Sequence, residues 1–87
     1  MQHHQSYVLD LQESPLLQFS VHRSGRPARI WISDVQGGTE AEQGGAAHGH
    51  YIVSVNGAIT AGMTLLQARI ALLGDPPVRV EFSTSVS

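Results

Sequence analysis

The chain contains neither cysteine nor lysine in its 87 residues. Without cysteine there is no disulfide, no thiol nucleophile and no zinc–thiolate site. That absence fits a reducing compartment, so the expected location is cytoplasmic, or the cytoplasmic face of a membrane reached through a partner. Long hydrophobic runs are also missing. No stretch approaches the roughly 18 to 20 apolar residues of a membrane span. The opening Met1-Gln2-His3-His4-Gln5-Ser6 lacks the basic-then-apolar pattern of a signal peptide. All five basic residues are arginine, and Arg23, Arg26 and Arg29 lie close together. The formal net charge is −2 and aromatics make up only 6%. A nucleic-acid binder would show a basic excess or interleaved aromatics, so that class is set aside. The arginine cluster reads as a solvated loop, with a patch for phosphate or an acidic ligand as the sharper alternative.

What is present is an ordinary apolar fraction of 41%, which points to one folded domain and not to a disordered chain. A core this small is marginal, but domains of roughly 60 to 100 residues do fold alone. The expected division is a flexible tail over 1–5, a domain over 6–82 and a second flexible tail over 83–87.

Period-two alternation marks the strands. Residues 6–11 (Ser-Tyr-Val-Leu-Asp-Leu) form the first candidate, and Glu13-Ser14-Pro15 breaks it. Leu16-Leu17 then leads into a second strand, in which Phe19 and Val21 alternate with Ser20 and His22. After an Arg/Gly/Pro turn, residues 28–35 read as a third. There Ile30 and Ile32 share one face, and Arg29, Trp31 and Ser33 share the other. The short gap between the second and third strands predicts an antiparallel hairpin. Thr39 can cap a helix of one or two turns that Gly44-Gly45 ends. Residues 51–55 (Tyr-Ile-Val-Ser-Val) are strongly strand-like, and Asn56-Gly57 signals a tight turn into a very short return strand. The convincing helix is 64–73, capped by Thr64 and stopped by Gly74. It carries two apolar stripes, Leu65/Ala68/Leu72 and Leu66/Ile70/Leu73, so it must face a core and something else as well. Residues 78–82 close as an alternating strand. The order predicts an α+β fold with antiparallel pairing and no internal repeat.

Signs of catalysis are thin. No Gly-x-Ser-x-Gly elbow is present. Ser20 and His22 read as exposed neighbours on one strand face, and Glu40 and Glu42 as part of a solvated helix whose N-terminus favours acids. His48-Gly49-His50, with His3-His4 or His22, is a sparse set for a metal, so no metal and no cofactor is expected. Trp31 either contributes to a partner surface or packs against the domain's own loops.

Two segments, taken in order, resemble a PDZ domain, and the resemblance covers nearly the whole chain. Residues 37–57 run from Gly37-Gly38 through an Ala-containing short helix and Gly44-Gly45 to Val55-Asn56-Gly57. Gly62-Met63-Thr64 then opens the long helix with Ala68, Ile70, Ala71 and Leu72, and Val78-Arg79-Val80-Glu81-Phe82 follows. The resemblance implies a small antiparallel β-barrel or sandwich of five to six strands with one short and one long helix, in the eukaryotic-type strand order. It implies a protein–protein interaction module of the scaffold or signalling kind, not an enzyme. Such a module takes an extended peptide as an added strand between the second strand and the long helix.

By the same resemblance, Leu16, Leu17, Gln18 and Phe19 stand where PDZ domains carry the Gly-Leu-Gly-Phe carboxylate-binding loop. Backbone N–H groups at Leu17, Gln18 and Phe19 would converge on a terminal carboxylate, and Phe19, Ser20, Val21 and His22 would pair with the peptide. Leu17, Phe19, Val21 and Leu72 would form the pocket for an apolar last residue. Leu65, Ala68 and Arg69 would line the rest of the groove, and Leu72→Glu would abolish binding without unfolding. Leu65 occupies a position where many PDZ domains have a histidine, which favours an apolar ligand residue there. The chain departs from the pattern at Gln18, at His50 in place of the usual Asp, and in having no base just before the loop. The expected partner is a protein C-terminus, with an internal peptide as the alternative. Self-association through the Ser83–Ser87 tail is expected to be weak, and the domain itself monomeric. A regulatory PDZ domain of a larger enzyme, such as a protease, is the other function class.

Overall fold

The computed structural model describes residues 5–84. The tail expectations for 1–4 and 85–87, and His3-His4, lie outside the described residues. The elements follow the predicted order. They are β1 (Ser6–Leu11), a 3-10 turn (Pro15–Leu17), β2 (Ser20–Ser24), β3 (Arg29–Ser33), α1 (Glu40–Gln43), β4 (Tyr51–Val55), β5 (Ala58–Ile59), α2 (Leu65–Leu72) and β6 (Val78–Ser83). All strand pairs are antiparallel, in the order β1-β6-β4-β3-β2, and β5 pairs with β4. The sheet stays open: β1 and β2 end the path without pairing to each other, so it is not a closed barrel. β3 and β5 share one side of β4, at opposite ends of it.

Local chemistry explains the boundaries. At α2, the Thr64 hydroxyl accepts from Gln67 N–H while the Gln67 side chain accepts from Thr64 N–H. This reciprocal capping box satisfies two donors that a helix N-terminus leaves free. Thr39 caps α1 by accepting from Glu42 N–H. Asn56 and Gly57 both have positive φ, 50° and 84°, which fits a tight hairpin turn of the primed kind. Asn56 also accepts a hydrogen bond from Arg79 N–H through its side chain, tying that turn to β6.

The core lies on the face of the sheet that α2 covers. Leu11, Ile32, Val80 and Phe82 from the strands and Ala68 and Leu72 from α2 are buried. Phe82 is central: Tyr7 stacks on it at 5.2 Å and Phe19 meets it edge-on at 6.0 Å. The first helical stripe is therefore the core stripe. The second faces away, with Leu66, Ile70 and Leu73 66%, 59% and 62% exposed. In β1 the inward residues are Tyr7, Leu9 and Leu11, and Val8 points out. Thr84 N–H donates to Gln5 carbonyl, carrying the β1–β6 ladder one step beyond Ser83.

Candidate functional site

β2 is an end strand of the sheet, and its register shows which backbone groups are open. Ile32 in β3 donates its N–H to His50 carbonyl and accepts from Gly49 N–H, so both its backbone groups point away from β2. Antiparallel ladders alternate between bonded and non-bonded pairs. Val21, opposite Ile32, and Arg23, opposite Ile30, are thus the non-bonded positions. Their N–H and C=O groups point out from the sheet edge. Ser20, His22 and Ser24 are the residues bonded to β3. α2 packs beside this edge and beside the preceding 3-10 turn.

That turn differs from the arrangement a carboxylate needs. Leu17 N–H donates to Ser14 carbonyl at 3.1 Å, and Gln18 and Phe19 N–H both donate to Pro15 carbonyl, at 2.9 and 3.2 Å. The three donors expected to converge on an anion are spent inside the turn. Gln18 has φ −100°, so no left-handed conformation is asked of it. Its side chain is fully buried. Its amide nitrogen donates to Glu13 carbonyl and to Glu40 Oε1, and its amide oxygen accepts from Ala41 N–H at 2.8 Å. Glu40 also accepts from Gln12 and Glu13 N–H at 3.0 and 2.8 Å. These backbone donors, with Gln18 behind them, hold the Glu40 carboxyl below the usual glutamate range. Expected to be a solvated helix residue, Glu40 is the hub that fastens the turn to α1. Nothing local in the sequence pairs it with Gln18, 22 positions away.

The expected pocket residues are close-packed. Phe19 and Val21 are buried and Leu72 is fully so, while Leu17 is 77% exposed at the tip of the turn. Leu16 and Leu65 pack partly against the core. Ala68 is buried and Arg69 is exposed on the flank of α2. A glutamate at position 72 would place a charge in the core, so Leu72→Glu is expected to unfold the domain and not to leave a folded non-binder. At the other end of β2, Arg23 Nε donates to Met63 carbonyl at 3.0 Å and ties the strand to the segment before α2.

On the outer face, Ser20 and His22 are half-buried. His22 stacks on Trp31 at 4.4 Å and bonds Ser33 Oγ through Nε2, and Ser33 Oγ donates to Asp34. The serine lies between the imidazole and the acid. In a nucleophile relay the imidazole would lie between the other two. Trp31 is packed by the domain itself: His48 meets its edge at 6.0 Å and its N–H donates to Ser24 Oγ. Among the described residues no group of three or more His, Asp or Glu is placed to hold a metal. His50 bonds Tyr7 hydroxyl through Nδ1 at 2.6 Å. Burial lowers the His50 pKa and raises Tyr7 to about 12.

A separate cleft of about 560 Å³ lies in the notch between β3 and β5, lined by Arg29, Tyr51, Val53, Ile59 and Glu81 among others. None of the expected groove residues lines it. No helix of the described residues is long and apolar enough to cross a membrane.

No family model matches the chain, and no curated protein matches it. Among solved structures it is similar to the third PDZ domain of INAD, determined in complex with a TRP channel tail. The TM-score is 0.78 at 20% identity, over 93% of this chain and 87% of that one. The chain has a PDZ-like fold.

Proposed function

We propose that the chain is a peptide-binding module that takes an extended segment of another protein as a strand on the β2 edge, beside α2. The observation that carries this reading is the outward direction of the Val21 and Arg23 backbone groups. An uncovered edge with unpaired donors and acceptors is a template for a further strand. The groove supplies chain pairing and shallow apolar contacts from Leu65 and the flank of α2, with Arg69 at its rim. The structural neighbour, solved with a channel tail, is a peptide-recognition domain and supports the same class. Catalysis has no part in this reading, which needs no cofactor. The test is an NMR titration of the labelled domain with peptides selected from a random library. Binding by strand addition shifts the Val21 and Arg23 amides and protects them from hydrogen exchange. Shifts confined to the β3–β5 notch, with Val21 and Arg23 unmoved, would overturn it.

A further inference from the structure

We propose that the ligand of the β2 edge is an internal segment, whose chain runs on past the 3-10 turn across Leu17, and not a free C-terminus. This rests on the strand-addition reading and specifies its ligand.

A terminal carboxylate is held by convergent, unpartnered N–H donors or by a cation. Here the Leu17, Gln18 and Phe19 donors are all bonded to Ser14 and Pro15 carbonyls. The turn is not free to rotate and release them. Gln18 is anchored on three sides, by Glu13 carbonyl, Ala41 N–H and Glu40. The residues just before and after it are anchored too: Gln12 and Glu13 N–H bond Glu40, and Gln18 carbonyl accepts from Gln36 N–H. Charge points the same way. The Glu40 carboxylate is bonded directly behind the turn, and residues 11–18 contain Glu13 and no base. A second carboxylate brought to this end would meet repulsion from Glu40.

Shape adds an independent reason. A C-terminal ligand ends with its last side chain in a well, but Phe19, Val21 and Leu72 are 3%, 5% and 0% exposed and offer such a side chain almost no surface. An internal ligand needs neither well nor nest. It pairs through its main chain with Val21 and Arg23, then continues over the end of the strand. Leu17 stands there, 77% exposed, as an apolar contact for the continuing chain.

The experiment is a pair of selections on the isolated domain. One uses random peptides fused to carrier protein at both ends, and the other uses the same peptides with a free C-terminus. Hits are resynthesised as acids and as amides, and each is mapped by the Val21 and Arg23 amide shifts. Doubly fused peptides that bind, shift both amides and keep their affinity as amides support the proposal. Binders found only with a free carboxylate, and lost as amides, overturn it while leaving strand addition intact. Binders of either kind that leave Val21 and Arg23 unmoved overturn strand addition, and the proposal with it. Leu17→Ser tests the path. It is expected to weaken the doubly fused binders about tenfold (1.4 kcal/mol) at an unchanged thermal midpoint. Unchanged affinity would overturn the passage across Leu17.

Discussion

The two ends of β2 are held in different ways. Where the chain enters the strand, Glu40 and Gln18 take the N–H groups of Gln12, Glu13 and Ala41, and Ser14 and Pro15 carbonyls take those of Leu17, Gln18 and Phe19. Further along, Val21 and Arg23 keep open backbone groups, and side-chain contacts fasten the strand: Arg23 to Met63 carbonyl, Trp31 N–H to Ser24 Oγ, and the His22–Trp31 stack. The difference lies in which groups take the backbone donors. A glycine at position 18 would leave the turn loose. A glutamine there makes the turn part of the packed interior, because a buried amide must find partners or lose its solvation without return. On the proposed reading, closing one end leaves the strand edge to do the bonding.

The contrast can be broken at several strengths. The largest effect is expected at Leu72, whose packing both ends share. Leu72→Ala leaves a core cavity and is expected to cost about 2–5 kcal/mol, read from chemical denaturation. Next comes Gln18→Leu, which keeps the bulk and strands Ala41 N–H and Glu13 carbonyl. A loss of about 1–3 kcal/mol is expected. A loss near zero would show that the turn is not latched by this side chain.

Acid sharpens the comparison. The Glu40 pKa is lowered by its backbone donors, so folding favours the ionised form. Its stabilisation is complete above the unfolded glutamate value of about 4.3 and is lost as pH falls through the lower folded value. Glu40→Gln should flatten that limb in urea midpoints measured across acid pH. Arg23→Ala, by contrast, should leave the acid limb unchanged.

Tyr7 and His50 give a smaller signal, toward the β1 edge of the sheet. Burial favours the neutral form of both. His50 thus stabilises fully above its unfolded pKa of about 6.5 and loses that as pH falls through the lower folded value. Tyr7 stabilises fully below its unfolded pKa of about 10 and loses that as pH rises toward a folded value of about 12. Tyr7→Phe should abolish its share of the alkaline decline, read from midpoints in that range. The smallest effect is expected from Arg79→Ala. Its pair with Asp10, at 2.9 Å, is exposed on the outer face, and no resolvable change in the midpoint is expected.

Much of the fold was legible because its signals are local. Alternation located the strands to within one or two residues, Thr64 marked the start of α2, and Asn56-Gly57 announced a hairpin. The two stripes of α2 were also readable, though not which one met the core. The site was less legible. Leu17, expected as a pocket wall, stands in solvent, and Leu72, expected at a pocket, lies in the core. The role of Glu40 was hidden because its partners, Gln12, Glu13 and Gln18, come from another part of the chain. The sequence shows its fitness for a helix start, which the structure also uses, but not whom it meets.

By itself the sequence determined the element order, the antiparallel pairing, the caps, and the absence of thiol chemistry. Each depends on residue type and short spacing, and these act within a few bonds of the backbone. Only the tertiary structure decided that the sheet stays open, that the backbone groups of Val21 and Arg23 point out from its edge, and that the turn before β2 spends its own amides. Those outcomes depend on which distant groups arrive within hydrogen-bond reach, and a buried donor or acceptor takes whichever partner the packing delivers.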